Sequence, residues 1–265
     1  MQNQILLIGA GWLGKDLAIH LHNAGYNLMA ISRSAGKCSE LNLLDIPAQE
    51  LLIDSEFNVQ KIPASTVAII LLPPSSAMGT EFLSYSKLIQ SVCNKLKING
   101  TEYLIHISSS GIYPANSGMY NEDAEIDTTE RAINLRNAEN EVLSSGIPAA
   151  IIRAGGLCGK DRHPGIWNRT ATVFAGDEPV NMIWKTDLIE LILHTVSKRL
   201  SGIYNAVAPM HSIREDFYKH CFLKMNTPLP EFSSGTAKTN RIVISDKIIS
   251  TGFEFRYPDP CKFPV

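Results

Sequence analysis

Several features that mark particular classes of protein are scarce in this chain of 265 residues. Its five cysteines are odd in number and form no C-x-x-C pair, so neither a disulfide framework nor a metal site is expected. The net charge is -2 at pH 7 with no basic stripe, which argues against a nucleic-acid partner. No stretch is long enough to span a membrane, and the short N-terminal apolar run lacks the basic start of a signal peptide. We therefore expect a cytoplasmic protein without a membrane partner.

The N-terminus combines an apolar, β-prone run over residues 4–8 with a glycine pattern and a predicted helix over residues 12–23. The pattern reads Gly9-Ala10-Gly11-Trp12-Leu13-Gly14. A G-x-G-x-x-G turn between a strand and a helix is typical of a dinucleotide site. Gly9 permits the tight turn, Gly11 lets a pyrophosphate approach, and Gly14 lets the helix pack on the strand, while the helix N-terminus offers N–H groups to the phosphates. The alternative is a plain glycine-rich turn in which Trp12 only packs.

Strand and helix patterns alternate over the first two-thirds of the chain. Predicted strands follow at 27–31, 51–54, 67–72, 103–107 and 149–152, with helices at 80–97 and 132–143. Repeated βα units with apolar strands predict a Rossmann-type α/β fold with a doubly wound parallel sheet. After Arg153 the pattern is irregular, with a helix at 187–197 that Thr186 or Asp187 is expected to cap, a strand at 202–206 and a helix at 213–224. We expect residues 1–165 to form the main part of the dinucleotide-binding domain, and residues 166–265 to return to it and form a small substrate-binding lid.

The second predicted strand ends without a carboxylate. A site that selects NAD usually places Asp or Glu there, to accept hydrogen bonds from the ribose hydroxyls. This chain has Ser32-Arg33-Ser34 instead. Hydroxyls and a guanidinium suit a 2′-phosphate, because Arg33 can make forked, charge-assisted bonds to it. The pattern predicts NADP (NADPH) in preference to NAD, and the alternative is that Arg33 is a solvated loop residue.

The ends of the next two predicted strands supply further candidates for the cofactor site. Asp54 closes the third strand, where a carboxylate can accept a hydrogen bond from the adenine amino group; the alternative is an N-cap for the following helix. Leu72 and Pro73 lie where the chain leaves the fourth strand, and we expect them to pack on the adenosine ribose unless they only end the strand.

Four later segments resemble motifs of one family. They are Ser108-Ser109-Ser110-Gly111-Ile112-Tyr113, Ile152-Arg153-Ala154-Gly155-Gly156, Asn181-Met182-Ile183-Trp184-Lys185-Thr186-Asp187, and Ile203-Tyr204-Asn205. With the glycine turn, they make the chain similar over nearly its whole length to the extended and atypical short-chain dehydrogenases/reductases of the NAD(P)-dependent epimerase/dehydratase type.

The resemblance implies a chemistry that uses a Ser, a Tyr and a Lys. In the family, Ser hydrogen-bonds the substrate oxygen, Tyr moves a proton on that oxygen, and Lys lowers the Tyr pKa and holds the nicotinamide ribose. Ser109 matches the family's serine; its alternative role is to satisfy backbone groups at a strand end. The Y-x-x-x-K pair is missing, because the helix after the fifth strand contains neither Tyr nor Lys. If Glu139 matches the Glu that commonly follows the family's motif, Arg131 stands at the Tyr position and Leu135 at the Lys position. Leu135 carries no charge, and Arg131 is a poor proton donor since its guanidinium stays protonated.

The missing pair leaves the proton donor to other residues. Tyr113 lies on the loop after the fifth strand, near the expected nicotinamide site, although the family uses this Tyr mostly for structure. His163 lies in a loop that the resemblance aims at the substrate, and a His can donate a proton near neutral pH without a helper Lys. The alternative for His163 is a surface residue in a Pro/Gly loop.

Two functions remain open. The first is an NADP-dependent oxidoreductase or epimerase/dehydratase-like enzyme that acts on a small polar or sugar-like molecule. The second is a non-catalytic NADP-binding sensor or interaction protein that has lost the Tyr/Lys pair. Fold-level analogy does not choose between them. The resemblance also implies a homodimer formed through the helices at 80–97 and 132–143, although the second of these helices is polar.

Overall fold

The fold is that of a computed structural model, which describes residues 4–74, 85–166, 175–233 and 239–264. Its strands are β1 (Gln4–Ile8), β2 (Asn27–Ser32), β3 (Ala48–Glu50), β4 (Val67–Ile70), β5 (Tyr103–Ser109), β6 (Gly118–Tyr120), β7 (Ala149–Ala154), β8 (Gly156–Cys158), β9 (Met182–Trp184), β10 (Gly202–Ala206) and β11 (Arg241–Val243). Its helices are α1 (Trp12–Asn23), α2 (Ala35–Asn42), α3 (Glu56–Val59), α4 (Tyr85–Ile98), α5 (Glu130–Leu143), α6 (Lys185–Lys198), α7 (Arg214–Lys224) and α8 (Asp246–Ile249).

The main sheet, among the described residues, has the strand order β10-β7-β5-β4-β1-β2-β3. The pairs β1–β2, β1–β4, β2–β3 and β4–β5 are parallel. The four residues of β4 are all buried, as a parallel strand covered by helices on both faces requires. β2 and β3 are added on one side of β1, and β4, β5, β7 and β10 on the other. The strand order therefore reverses between β1 and β4, and their carboxyl ends form the switch point at which such sheets bind ligands. The predicted Rossmann-type α/β fold is confirmed.

Two predicted strand boundaries are wrong, and one predicted helix start is not tested. The third strand is Ala48–Glu50 rather than 51–54, because it is a partly exposed edge strand and lacks the apolar run that marks the inner strands. β4 ends at Ile70, ahead of two prolines that have no N–H to donate to the sheet. The helix predicted from residue 80 is described from Tyr85 onwards, and its predicted start lies outside the described residues.

The chain forms two compact units that interleave along the sequence. Unit 1 comprises Met1–Ile112, Thr128–Ile152 and Ile192–Ile203, and unit 2 comprises Tyr113–Asp127, Arg153–Leu191 and Tyr204–Val265. The division expected from the sequence, with the cofactor on residues 1–165 and a lid on residues 166–265, concerns which residues bind each ligand and stays a prediction.

Each unit has its own apolar packing. In unit 1, α4 buries a stripe with helical spacing that contains Leu88, Ile89, Val92, Cys93 and Leu96. In unit 2, a cluster of buried residues surrounds Trp184, whose ring centroid lies 5.4 Å from that of Phe263. No helix in the described ranges has the length and apolarity needed to cross a membrane. The same ranges contain no group of three or more His, Cys, Asp or Glu that could hold a metal ion.

Candidate functional site

The glycine turn at the carboxyl end of β1 is held tightly in unit 1. The N–H groups of Gly9 and Ala10 both donate to the Ile31 carbonyl, at 3.0 and 2.7 Å. Gly9 has a φ of +104°, which L side chains rarely adopt. A Cβ atom on Gly14 would lie 2.5 Å from the Gly9 carbonyl oxygen, so this position has room for glycine alone. The predicted roles of Gly9 in the turn and of Gly14 in helix packing therefore have direct steric causes.

Among the described residues, no steric contact explains Gly11. It is the N-cap of α1, no described side chain caps this helix, and the one described atom that a Cβ atom on Gly11 would meet is the Gly9 carbonyl oxygen, at 3.9 Å. A helix N-terminus presents N–H groups that lack intrahelical partners and carries the positive end of the helix dipole. The Gly11 cradle, formed by Gly11 and the first turn of α1 at Trp12 and Leu13, therefore fits a phosphate group of a dinucleotide.

The residues at the end of β2 divide into two that support the turn and one that is free. The buried Ser32 hydroxyl accepts a hydrogen bond from the Ser34 N–H at 3.2 Å, and the Ser34 hydroxyl caps α2 by accepting from the Lys37 N–H at 3.4 Å. Arg33 is exposed and has no hydrogen bond or ion pair within the described ranges. Its guanidinium is thus available to a ligand, whereas the two serine hydroxyls already act within the turn.

A carboxylate that the sequence reading missed lies beside this turn. Glu50 is paired in register with Ser32, on the neighbouring strand β3. Glu50 does not follow β2 in the sequence, and the apolar pattern of the edge strand β3 is too weak to predict that Glu50 lies at the edge of the sheet where β2 ends. Its negative charge opposes a 2′-phosphate, so Arg33 and Glu50 act in opposite directions on the choice between NADP and NAD.

The candidates beyond β3 and β4 take local roles as well. The Asp54 Oδ1 atom accepts a hydrogen bond from the Asn58 side chain at 2.8 Å, and Ser55, not Asp54, is the N-cap of α3. The Leu72 carbonyl accepts a hydrogen bond from the Tyr85 hydroxyl at 2.6 Å, and Pro73 is exposed. Both residues follow the end of β4, so their side chains remain at the edge of the sheet where the switch point lies.

The three serines at the end of β5 differ in their hydrogen bonding. The buried Ser108 hydroxyl donates to Glu139 Oε1 at 2.5 Å. The Ser109 hydroxyl accepts from the Gly111 N–H at 3.1 Å, which is the strand-end role considered as its alternative. That bond occupies one lone pair of the Ser109 oxygen, and the hydroxyl hydrogen has no acceptor in the described ranges. Ser109 is only half-buried, so it can still donate to a ligand.

The two α5 residues that replace the family's Tyr and Lys are also in unit 1. Leu135 is 1% exposed and packs into the core, so it has no part in holding a ribose. Arg131 is exposed in the first turn of α5, and a Cβ atom on Gly111 would lie 3.8 Å from its Nη2 atom and 3.2 Å from the Ser109 Oγ atom. A guanidinium therefore lies beside Ser109.

In unit 2, polar residues from three of the family-like motifs meet in one buried network. The Tyr113 hydroxyl donates to Asn205 Oδ1 at 2.8 Å and accepts from Arg153 Nη1 at 2.8 Å. Glu122, which the sequence reading missed, accepts from the Asn205 N–H at 2.7 Å and offers its carbonyl to Arg153 at 3.1 Å. Burial raises the pKa of the Tyr113 phenol, although Arg153 and Asn205 oppose that rise. Tyr113 is 2% exposed with both hydrogen-bonding directions in use, which suits a structural role.

His163 is buried rather than exposed, so the surface-loop alternative is wrong. Its relative exposure is 0%, and its ring meets that of Trp184 edge-on at 6.2 Å. The Nδ1 atom accepts from the Gly165 N–H at 3.2 Å, which places the proton of the neutral ring on Nε2, and Nε2 has no partner among the described residues. Burial, aided by His220 and Lys224, lowers the pKa of the imidazole. A neutral ring of this kind donates a hydrogen bond more readily than it transfers a proton.

Asp187 is a further buried residue whose role the sequence misjudged. Helix α6 begins at Lys185, so neither Thr186 nor Asp187 is its N-cap. The Asp187 carboxylate instead accepts from the N–H groups of Arg256 and Tyr257, at 2.9 and 3.0 Å. Burial raises its pKa to about 6. Within unit 2, this contact joins the start of α6 to a segment near the end of the chain, and no local sequence pattern predicts that pairing.

The parallel sheet, the glycine turn and the buried network define a class of protein: the chain has the fold of the extended short-chain dehydrogenases/reductases of the NAD-dependent epimerase/dehydratase type. The resemblance inferred from the motifs is confirmed at that level. No protein-family model matches the chain. Protein YeeZ of Escherichia coli K12 is 26% identical to it over an alignment of 273 positions, which covers 99% of each chain.

Two solved structures extend the comparison. The enzyme WbmH of Bordetella bronchiseptica, in complex with NAD+, is similar with a TM-score of 0.81 and 15% identity over 97% of this chain and 94% of its own. The UDP-glucuronic acid 4-epimerase of Bacillus cereus, in complex with NAD, is similar with a TM-score of 0.75 and 18% identity over 98% of this chain and 96% of its own. At these identities the likeness concerns the fold.

Proposed function

We propose that this protein binds a nicotinamide dinucleotide, with NADP preferred, and uses it as an oxidoreductase or epimerase/dehydratase-like enzyme on a small polar or sugar-like substrate. The observation that carries the proposal is the Gly11 cradle. Packing explains Gly9 and Gly14, whereas no described residue fills the space beside Gly11 or caps the helix that begins there. A phosphate group accounts for both features. Both structural relatives hold NAD or NAD+, which supports the same cofactor class here.

The preference for NADP rests on Arg33. This residue is exposed, unpaired within the described ranges and placed directly after β2, where the 2′ position of the adenosine ribose is expected. A forked guanidinium matches a phosphate better than it matches a hydroxyl. Asp54 is expected at the adenine, and Leu72 and Pro73 at the adenosine ribose. Both structural relatives hold NAD, so the preference separates this chain from them.

The chain's own residues would position the substrate oxygen. A bound nicotinamide supplies or accepts the hydride in this class of reaction. In unit 1, Ser109 would donate its free hydroxyl hydrogen to an oxygen of the substrate. In unit 2, Tyr113 would hold its loop through its bonds to Arg153 and Asn205, and His163 would offer one hydrogen-bond donor, Nε2–H, within its own loop. Homodimerisation through α4 and α5, a substrate lid built from residues 166–265 and a cytoplasmic location belong to the same proposal.

The test is a titration of the full chain with NADPH and with NADH, followed by nicotinamide fluorescence. Gly11→Ala places a methyl group in the cradle and should weaken both nucleotides by about tenfold or more, because the phosphates lose their close approach. Arg33→Ala should weaken NADPH by about tenfold and leave NADH within about twofold, since only the 2′-phosphate is lost. Arg136→Ala is the matched control, because Arg136 is an exposed arginine on α5 that the proposed cofactor site does not include. Failure of the wild-type chain to bind either nucleotide contradicts the proposal.

The non-catalytic alternative is favoured by one observation, the burial of Leu135 where the family has its Lys. A turnover assay with NADP and a panel of sugar nucleotides and small carbonyl compounds separates the two functions. Ser109→Ala should lower turnover without changing the affinity for NADPH. Binding of NADPH without turnover of any compound in the panel would favour the sensor. Size-exclusion chromatography with light scattering tests the dimer.

A further inference from the structure

Arg131, which aligns with the family's catalytic tyrosine, lies where its guanidinium can bind a ligand. Arg131 lies in the first turn of α5, and α5 packs against the turn Ser110–Ile112 that follows β5. A Cβ atom on Gly111 would lie 3.2 Å from the Ser109 Oγ atom and 3.8 Å from the Arg131 Nη2 atom. The hydroxyl oxygen and the guanidinium nitrogen thus lie on the same side of Gly111, each within 3.8 Å of one point, and a methyl group at that point would already crowd Ser109.

Both groups are free to bind. Arg131 is exposed and has no hydrogen bond or ion pair within the described ranges. Ser109 accepts one bond from the Gly111 N–H, and its hydroxyl hydrogen has no acceptor in the same ranges. The neighbouring Ser108 is different, because its hydroxyl is committed to Glu139. Gly111 is not among the glycines with positive φ, so its backbone conformation does not account for the absence of a side chain.

The chemistry of these groups decides what fits between them. A guanidinium has five donors and no acceptor and keeps its charge at any physiological pH, so Arg131 binds a ligand but does not replace the proton transfer of a tyrosine. The Ser109 hydroxyl, with its oxygen already accepting from the backbone, also offers a donor. Two donors, one of them cationic, complement a group that only accepts and carries negative charge.

We propose that Ser109 and Arg131 together bind an oxyanion of the substrate, a carboxylate or a phosphate, which bridges the hydroxyl and the guanidinium. This deepens the proposed function and rests on it for the statement that the ligand is the substrate. The site selects anionic substrates over neutral ones of the same shape. A single forked contact with one added hydrogen bond predicts a dissociation constant on the order of 10 mM for the isolated anion.

The experiment follows the side-chain Nε–Hε resonance of Arg131 in the ¹⁵N-labelled full chain, assigned by its disappearance in Arg131→Gln. Lactate and inorganic phosphate are titrated separately to about 100 mM at constant ionic strength, and lactamide serves as the neutral counterpart of lactate. Saturable shifts with lactate or phosphate, and none with lactamide, are expected. Stronger binding of lactate identifies a carboxylate substrate, and stronger binding of phosphate identifies a phosphate ester.

Matched variants complete the test. Ser109→Ala should weaken the anion several-fold, and Arg136→Gln, on the same helix, should leave its affinity unchanged. Absence of a saturable shift with both anions, or equal affinities in wild-type protein and Ser109→Ala, overturns the inference. A titration of Arg131→Gln and of the wild-type chain with NADPH distinguishes the two proposals. If the wild-type chain binds the anion and neither protein binds NADPH, this inference stands and the proposed cofactor is removed. If both proteins bind NADPH and the wild-type chain binds no anion, only the anion site is removed.

Discussion

The Ser108 hydroxyl donates a hydrogen bond to Glu139 Oε1 at 2.5 Å, and both residues are buried in unit 1. The next hydroxyl in the chain, that of Ser109, is half-buried and donates to no described group. Two adjacent serines at the end of one strand therefore have different functions, because consecutive side chains of a strand point to opposite faces. Ser108 fastens β5 to α5, and Ser109 is left for a ligand.

The two serines predict opposite mutational effects. Ser108→Ala should lower the free energy of unfolding by about 1–3 kcal/mol, since the buried Glu139 loses a hydrogen bond. Ser109→Ala should change it by less than about 0.5 kcal/mol, because only a local bond from the Gly111 N–H is lost. Urea unfolding of both variants provides the measurement. A larger stability loss in Ser109→Ala than in Ser108→Ala would contradict this assignment.

Gly14→Ala should destabilise the fold strongly. Its Cβ atom would lie 2.5 Å from the Gly9 carbonyl oxygen, and the turn cannot retreat because its N–H groups are bonded to Ile31. We expect a loss of about 1–3 kcal/mol in the free energy of unfolding, as for other overpacked sites. Thermal unfolding measures it, and Gly11→Ala is the control, because the nearest atom to its Cβ is 3.9 Å away. Equal stabilities of the two variants would count against the tight turn described here.

His106 is predicted to make the protein acid-sensitive. Its ring is fully buried on β5, neither ring nitrogen has a partner in the part of the chain that the structure describes, and burial lowers its pKa from 6.5 to about 4. Between these two pH values the unfolded chain binds a proton that the folded chain does not, so stability falls as the pH drops. From pH 7.5 to pH 5 this group should remove about 2 kcal/mol from the free energy of unfolding.

His106→Leu tests that prediction, because leucine has a similar volume and no polar atom to bury. Urea unfolding at the two pH values should show a smaller loss on acidification in the variant than in wild type. At pH 7.5 the variant should be as stable as wild type or more stable, since no hydrogen bond is lost. The exposed His22 is the control, and His22→Leu should retain the wild-type pH dependence. A marked loss of stability at pH 7.5 would show that the ring is needed.

Tyr113→Phe should destabilise unit 2. The substitution removes the donor to Asn205 and the acceptor for Arg153, and leaves both of these buried groups short of a partner. A loss of about 1–3 kcal/mol in the free energy of unfolding is expected. Tyr120→Phe is a matched control, because its hydroxyl donates to the Asn116 carbonyl in an exposed position at 3.2 Å. If Tyr113→Phe kept full stability but lost turnover, a direct catalytic role would replace the structural one.

Local sequence signals predicted the elements that local physics determines. The G-x-G-x-x-G turn, the inner strands β1, β4 and β5, and the amphipathic helix α4 appear with boundaries within a few residues, or with the described part of the prediction intact. The edge strand β3 was misplaced, because an edge strand with few buried residues has no strong apolar pattern. The position of Asp187 near the start of a helix predicts a helix cap. Its carboxylate instead binds a segment about seventy residues further along the chain, which no local pattern indicates.

The sequence by itself determined the fold class, the position of the candidate cofactor turn and the absence of the family's Tyr/Lys pair. These follow from the periodicity of apolar residues and from residue types at fixed spacing. Only the tertiary structure decided that His163 is buried, that Tyr113 is committed to Arg153 and Asn205, and that Ser109 and Arg131 lie on the same side of Gly111. Burial and hydrogen-bond partnership depend on residues that are distant in the chain, and no local pattern encodes which distant groups will meet.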